Sequence, residues 1–185
     1  MRKHGSGQML DIGSYHQDPQ SIANNLRELQ NTISPPTDVV FLIWPDAPIE
    51  QMVDVIVETI RVCSQKNHQF HRFIFHHYDF GNQAHLEVLQ AACRFPLFQF
   101  VVVSSTADSP VQESTLYALK HGMMVNKSLK GITLNHLEMS EEGFGILGDG
   151  LKATESLESL SIDCWPQVLP EDDQRESIPQ QSQSS

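Results

Sequence analysis

The clearest alternation of apolar and polar positions lies in residues 128–162, where Leu129, Ile132 and Leu134 recur 28 residues later as Leu157, Leu160 and Ile162. Between the copies, Phe144, Leu147 and Leu151 are spaced as one apolar stripe of a short helix. Each unit therefore reads as a strand followed by a helix. The same alternation extends upstream. Runs 39–44, 70–75 and 98–103 are rich in β-branched and aromatic residues and have the length of strands. Ile49, Val53, Ile56 and Ile60 predict a helix after the first run, Leu86, Leu89 and Cys93 one after the second, and Leu116, Leu119 and Met123 one after the third. Ahead of them all, Ile22, Leu26, Leu29 and Ile33 predict an amphipathic helix over 21–33. Ser34-Pro35-Pro36 ends it, since a residue before proline avoids the helical region and proline has no amide hydrogen.

Anchored on Val39, Phe70, Phe98, Leu129 and Leu157, the strands recur at spacings of 31, 28, 31 and 28 residues, with apolar residues at relative positions 0, 3 and 5. Regular strand-helix spacing of this size marks a repeat architecture. The LxxLxL pattern with a helix and a period near 28 resembles the leucine-rich repeat family, and the helix-containing units are similar to its ribonuclease-inhibitor subclass. The resemblance covers about residues 38–165 and is closest in 128–162. It implies an α/β fold: a short leucine-rich-repeat solenoid with one curved parallel sheet, helices on the convex side and the 21–33 helix as an N-terminal cap. It also implies a non-enzymatic scaffold for protein-protein binding. The chain departs from the family pattern at relative position 8, where Asn or Cys is expected and Ala47, Tyr78, Thr106, Leu137 and Trp165 stand. Residues 1–17 are polar, glycine-containing and aperiodic and read as a disordered arm, 18–169 as the repeat domain, and 170–185, rich in Pro, Gln, Ser and acid, as a disordered tail.

In such a sheet the residues at relative positions 2, 4 and 6 point away from the helices. They are Phe41, Ile43 and Pro45; Arg72, Ile74 and His76; Phe100, Val102 and Ser104; Gly131, Thr133 and Asn135; and Ser159, Ser161 and Asp163. The candidates for partner binding on this concave face are Arg72, Ile74, His76, Phe100, Val102, Thr133, Asn135, Ser161 and Asp163. Apolar residues dominate its first three strands. An exposed apolar patch of that size marks a partner site, whereas strands apolar on both faces also suit a sheet covered on both sides, with the 21–33 helix as the available cover. Both readings stand at this point. A second architecture stands beside them, a doubly wound α/β domain holding a small ligand or nucleotide at its strand ends, as an enzyme or as a binder.

Charge narrows the partners. With 23 acidic and 12 basic residues among 185 and a formal net charge of −11, the surface repels phosphate backbones and anionic headgroups. A protein partner is expected, with no nucleic acid and no membrane. Three scattered cysteines, Cys63, Cys93 and Cys164, form no CxxC pair and suit a reducing, cytoplasmic setting. Neither a secretory signal nor a membrane-spanning run is evident.

Two patterns invite chemistry. Gly143, Gly145 and Gly148 match GxGxxG, but 135–142 separates them from the strand end and Glu141 and Glu142 stand where a phosphate would sit, so they read as glycines of a repeat helix and no cofactor is expected. Five of the nine histidines fall at 68, 71, 76, 77 and 85. Strict strand alternation sends His76 to the face of Arg72 and His71 and His77 to the other, which argues against a metal site. No GxSxG, HExxH or P-loop is present, and Asn126-Lys127-Ser128 matches a glycosylation sequon by coincidence.

Overall fold

The computed structural model describes residues 2–4, 7–12, 18–33, 39–44, 47–79, 81–105 and 111–166, with only the backbone described for 2–12, 77 and 164–166. Strands β1 (Arg2–His4), β2 (Gly7–Ile12), β3 (Val40–Ile43), β4 (Phe70–Tyr78), β5 (Phe98–Ser105), β6 (Gly131–Met139) and β7 (Ser159–Pro166) form one sheet in chain order. The β1–β2 pair is antiparallel and every later pair is parallel. Helices α1 (Pro19–Asn31), α2 (Ile49–Gln65), α3 (Gln83–Arg94), α4 (Glu113–Val125) and α5 (Glu141–Ala153) follow β2 to β6, each packed against the next along one row. The strand order has no reversal point, so the sheet lacks the crevice that a doubly wound ligand domain needs.

Local chemistry sets the helix ends. Asp18 caps α1 by accepting from the Ser21 amide, with Pro19 at the first helical position, where its missing amide hydrogen costs nothing. Asn82 accepts from the Ala84 and His85 amides at the start of α3, and Ser140 from the Gly143 amide at the start of α5. The core between sheet and helix row is aromatic at its centre. Phe73 lies 5.1 Å from Phe98 and 5.7 Å from Phe41 between ring centroids. Offset and edge-on contacts of this kind add to simple area burial.

Several expectations need correction. The segment expected as an arm carries β1 and β2, because backbone hydrogen bonds to β3 reward it in spite of its polar sequence. The helix weighed as a cover for the apolar sheet face lies instead at the N-terminal end of the helix row, against α2, where the Gln30 side chain donates to Thr59 Oγ1 at 2.8 Å and Lys66 donates to the Gln30 carbonyl. It ends at Asn31, leaving Ile33 90% exposed. The first repeat strand is shifted by one residue. Phe41 and Ile43 pair with Phe73 and Phe75 and are fully buried, so Val40, Leu42 and Trp44 take the open face. A run apolar at all six positions leaves its register to cross-strand packing, here the three phenylalanines. On α5, the residues turned into the core are Ile146 and Leu147 with Gly143 and Gly150, while Phe144 and Leu151 are 44% and 39% exposed. Beyond Pro166 the tail, with the domain end placed at 169, lies outside the described residues.

The glycines of the apparent nucleotide motif serve packing. A β-carbon on Gly143 would lie 2.7 Å from Met139 Cγ and 2.9 Å from Leu116 Cδ1, whereas Gly145 and Gly148 face open space. Gly150 admits Met123, and Gly122 admits Cys93 in the same way one unit earlier. Close approach of successive helices thus depends on a glycine at the same place in the last two units. At relative position 8, Tyr78 and Leu137 are buried, and the turn is filled by bulk where an amide would have bonded the backbone. That bonding comes from elsewhere. Buried Asn126 donates to the carbonyls of Cys93 and Phe95 at 2.8 and 3.0 Å and accepts from the Ser128 amide at 3.0 Å.

Candidate partner-binding face

The face of the sheet away from the helix row carries three rows that cross five strands. Val40, Arg72, Phe100, Gly131 and Ser159 form the first, and Leu42, Ile74, Val102, Thr133 and Ser161 the second. In the third, Trp44 stacks on His76 and the row continues through Ser104, Asn135 and Asp163. All nine residues expected on this face, Arg72, Ile74, His76, Phe100, Val102, Thr133, Asn135, Ser161 and Asp163, are therefore brought together on it. Leu42 and Gly131 are buried, Trp44, Arg72, Ser159, Ser161 and Asp163 are exposed, and the others are half-buried.

Side-chain geometry divides the face into two halves. In the apolar half the Trp44 ring lies 5.6 Å from the His76 ring at an interplanar angle of 27°. The Arg72 guanidinium sits 5.7 Å from the Phe100 centroid, and the His71 ring meets the same phenylalanine edge-on at 5.3 Å. Cation-aromatic contact of this type holds a guanidinium over a ring while its remaining donors stay accessible. Gly131 is what lets Phe100 lie across the neighbouring strand, since a β-carbon there would meet Phe100 Cδ1 at 2.6 Å. In the polar half the Asn135 amide donates to Ser104 Oγ at 3.2 Å, and His136 Nδ1 lies 3.6 Å from Asp163 Oδ2. His136 has φ of 57°, a left-handed conformation at the irregularity between Asn135 and Leu137 that turns its ring toward β7.

Four members of the face escape the sequence reading. Val40, Leu42 and Trp44 are lost to the one-residue register shift. His71 is assigned to the opposite face by strict alternation, yet the 0, 3 spacing of buried residues leaves two consecutive side chains between anchors, and both turn outward. The same spacing brings Lys130 and Glu158 together at 2.7 Å on neighbouring strands.

Burial pushes the Cys63 thiol up to about 11 and the Cys93 thiol up to about 12, so both are protonated and poor nucleophiles near neutrality. His85 Nδ1 accepts from the Asp79 amide at 3.1 Å, and burial lowers its pKa, partly opposed by Asp79 and Glu50. A cleft of about 550 Å³ lies between α2 and the start of α3, lined by Glu50, Asp79, Asn82 and Glu87 among others. Glu50 accepts from Asn82 and Asp79 from the Gly81 amide. Among the described residues no three His, Cys, Asp or Glu side chains converge as a metal site, and no helix is long and apolar enough to cross a membrane. Compared with protein-family models, curated proteins and solved structures, the chain matches none.

Proposed function

We propose that this chain is a short solenoid of irregular leucine-rich repeats, of the helix-containing kind, that acts without catalysis as a docking platform for a protein partner on its open sheet face. The observation that carries the reading is the continuous apolar and aromatic half of that face, Leu42, Trp44, Ile74, Phe100 and Val102, with Arg72 and His76 set among it. Aromatic and arginine side chains on a rigid sheet are the groups that dominate binding energy at protein interfaces. The polar half, Thr133, Asn135, Ser161 and Asp163, then supplies hydrogen-bonding specificity at the rim. A net charge of −11 disfavours nucleic acid and anionic membrane as alternatives. Free, buried Cys63 and Cys93 thiols suit a reducing compartment such as the cytoplasm.

The test is affinity capture with the wild-type chain as bait, followed by titration of the captured partner against two double variants. Trp44→Ala with Phe100→Ser should weaken binding by roughly 30-fold or more, the scale of an interface hot spot. Asn135→Arg with Ser161→Arg should weaken it through the rim. Affinity unchanged in both variants would remove the open face as the docking site.

A further inference from the structure

The end of the sheet at β7 differs from the end at β1. Helices α4 and α5 begin 28 residues apart and have the same length. On α4, the side chains that meet α5 are Leu116, Lys120 and Met123, through Gly143 and Gly150 of α5. Their counterparts 28 residues on are Phe144, Gly148 and Leu151. Leu116 and Met123 are buried, whereas Phe144 and Leu151 are exposed and Gly148 has nothing near it. The strands repeat the contrast, with Leu129, Ile132 and Leu134 fully buried and Leu157, Leu160 and Ile162 only half-buried. Along its eight residues β7 pairs with β6 on one edge, and its other edge meets no strand among the described residues. The flank of α5 and the edge of β7 together form a receiving surface built on the same plan as the one α4 and β6 offer.

The other end is closed. Strand β1 is three residues long, antiparallel and composed of Arg2, Lys3 and His4, a short charged edge of the kind that blocks further pairing. Helix α1 exposes only polar side chains, among them Asn24, Arg27 and Glu28. Head-to-tail stacking of two copies would press that polar end onto the apolar one.

We infer that the β7 end is an interface between two copies of this chain, joined tail to tail about a two-fold axis normal to the sheet. Such an axis runs the two β7 edges antiparallel and lays α5 against its copy in the opposite sense, with both helix rows on the same side of one continuous sheet. An isologous contact of this kind needs a self-complementary patch. Phe144 faces the copy's Leu151, and the Glu141 and Glu142 carboxylates in the first turn of α5 approach the copy's Lys152 in its last turn. Neither glutamate has a cationic partner among the described residues, and Lys152, 81% exposed, contacts Asp149 of its own helix through one bond at 3.3 Å, which leaves two of its ammonium donors for the copy. At the seam the acidic groups of the edge already face cations of their own chain, Glu155 with Lys127 and Glu158 with Lys130.

Sedimentation velocity of the full chain, read from about 1 to about 100 μM, tests this, since dimer stability depends on concentration. The expected mass is twice the 20.9 kDa of one chain. Leu151→Asp should raise the dimer dissociation constant by roughly 100-fold, an anchor lost from both copies, while circular dichroism stays that of the folded chain because the residue is exposed. Glu141→Lys with Glu142→Lys should weaken the dimer, and adding Lys152→Glu should restore it. A single-chain mass throughout the range overturns the inference, whether residues 167–185 or nothing covers the flank. A dimer unmoved by Leu151→Asp, a triple variant no tighter than the double, or assemblies that grow beyond two chains would overturn it equally.

Discussion

At the scale of single residues, the glycines show how much one missing methyl group decides. Gly122 is buried where α4 crosses α3, and a β-carbon there would sit 2.6 Å from Cys93 Cβ. Gly145, one turn into α5, faces open space. Gly122→Ala is therefore expected to cost about 1–3 kcal/mol by overpacking, and Gly145→Ala to gain up to about 1 kcal/mol of helix propensity. Urea denaturation of the two variants should move in opposite directions, and destabilisation by both would contradict the packing. Asn126 has the same character. In the sequence it belongs to a sequon, and in the fold it closes the end of α3 through the carbonyls of Cys93 and Phe95. Nothing in its local sequence announces that role, because its partners lie some 30 residues away.

At the scale of elements, the strand-helix order was legible throughout the repeat region, since apolar spacing distinguishes a strand from a helix without reference to partners. Register was not. In β3 every residue from Val39 to Trp44 is apolar, so either face could have entered the core, and packing of Phe41 on Phe73 and Phe98 decides it. Phe41→Ala is accordingly expected to cost about 3–5 kcal/mol. Trp44→Ala, from a residue 36% exposed and stacked on His76, should cost no more than about 1.5 kcal/mol. Equal losses in thermal or chemical unfolding would restore the other register. The helix α5 teaches a related lesson. Phe144, Leu147 and Leu151 make a regular stripe, yet the small residues Gly143 and Gly150 mark the inward face, and an apolar count alone passes over glycine.

At the scale of the whole molecule, the solvent-titrating charges are on the surface and the buried titratable groups lie in the core and its turns. Among the described residues, His85 is a half-buried group that couples stability to pH near neutrality. Its ring packs on Phe75 at 4.8 Å and its Nδ1 must stay unprotonated to accept from Asp79. Burial lowers its folded pKa below the value of about 6.5 expected in an unfolded chain. Above that value both states are neutral and the histidine imposes no penalty. As pH falls through about 6.5, the unfolded chain takes up the proton first, so stability declines until the folded histidine also titrates. The free energy of unfolding measured between about pH 7 and pH 5 should fall less steeply in His85→Gln than in the wild type. Identical slopes would show that the imidazole is not held neutral.

By itself the sequence determined the alternation of strands and helices, the period of the last units and the residues of one sheet face from β4 to β7. Each of these follows from local periodicity and from backbone preferences that act over a few residues. Only the tertiary structure decided that residues 2–12 join the sheet, that α1 lies in the helix row, and that Trp44 and His71 complete the open face. Those outcomes depend on hydrogen bonds and ring contacts between segments far apart in the chain, where the energy of a register or an edge is set by its neighbour. The open β7 end belongs to the same class, because Phe144 and Leu151 look like core residues until the fold shows that no helix follows them among the described residues.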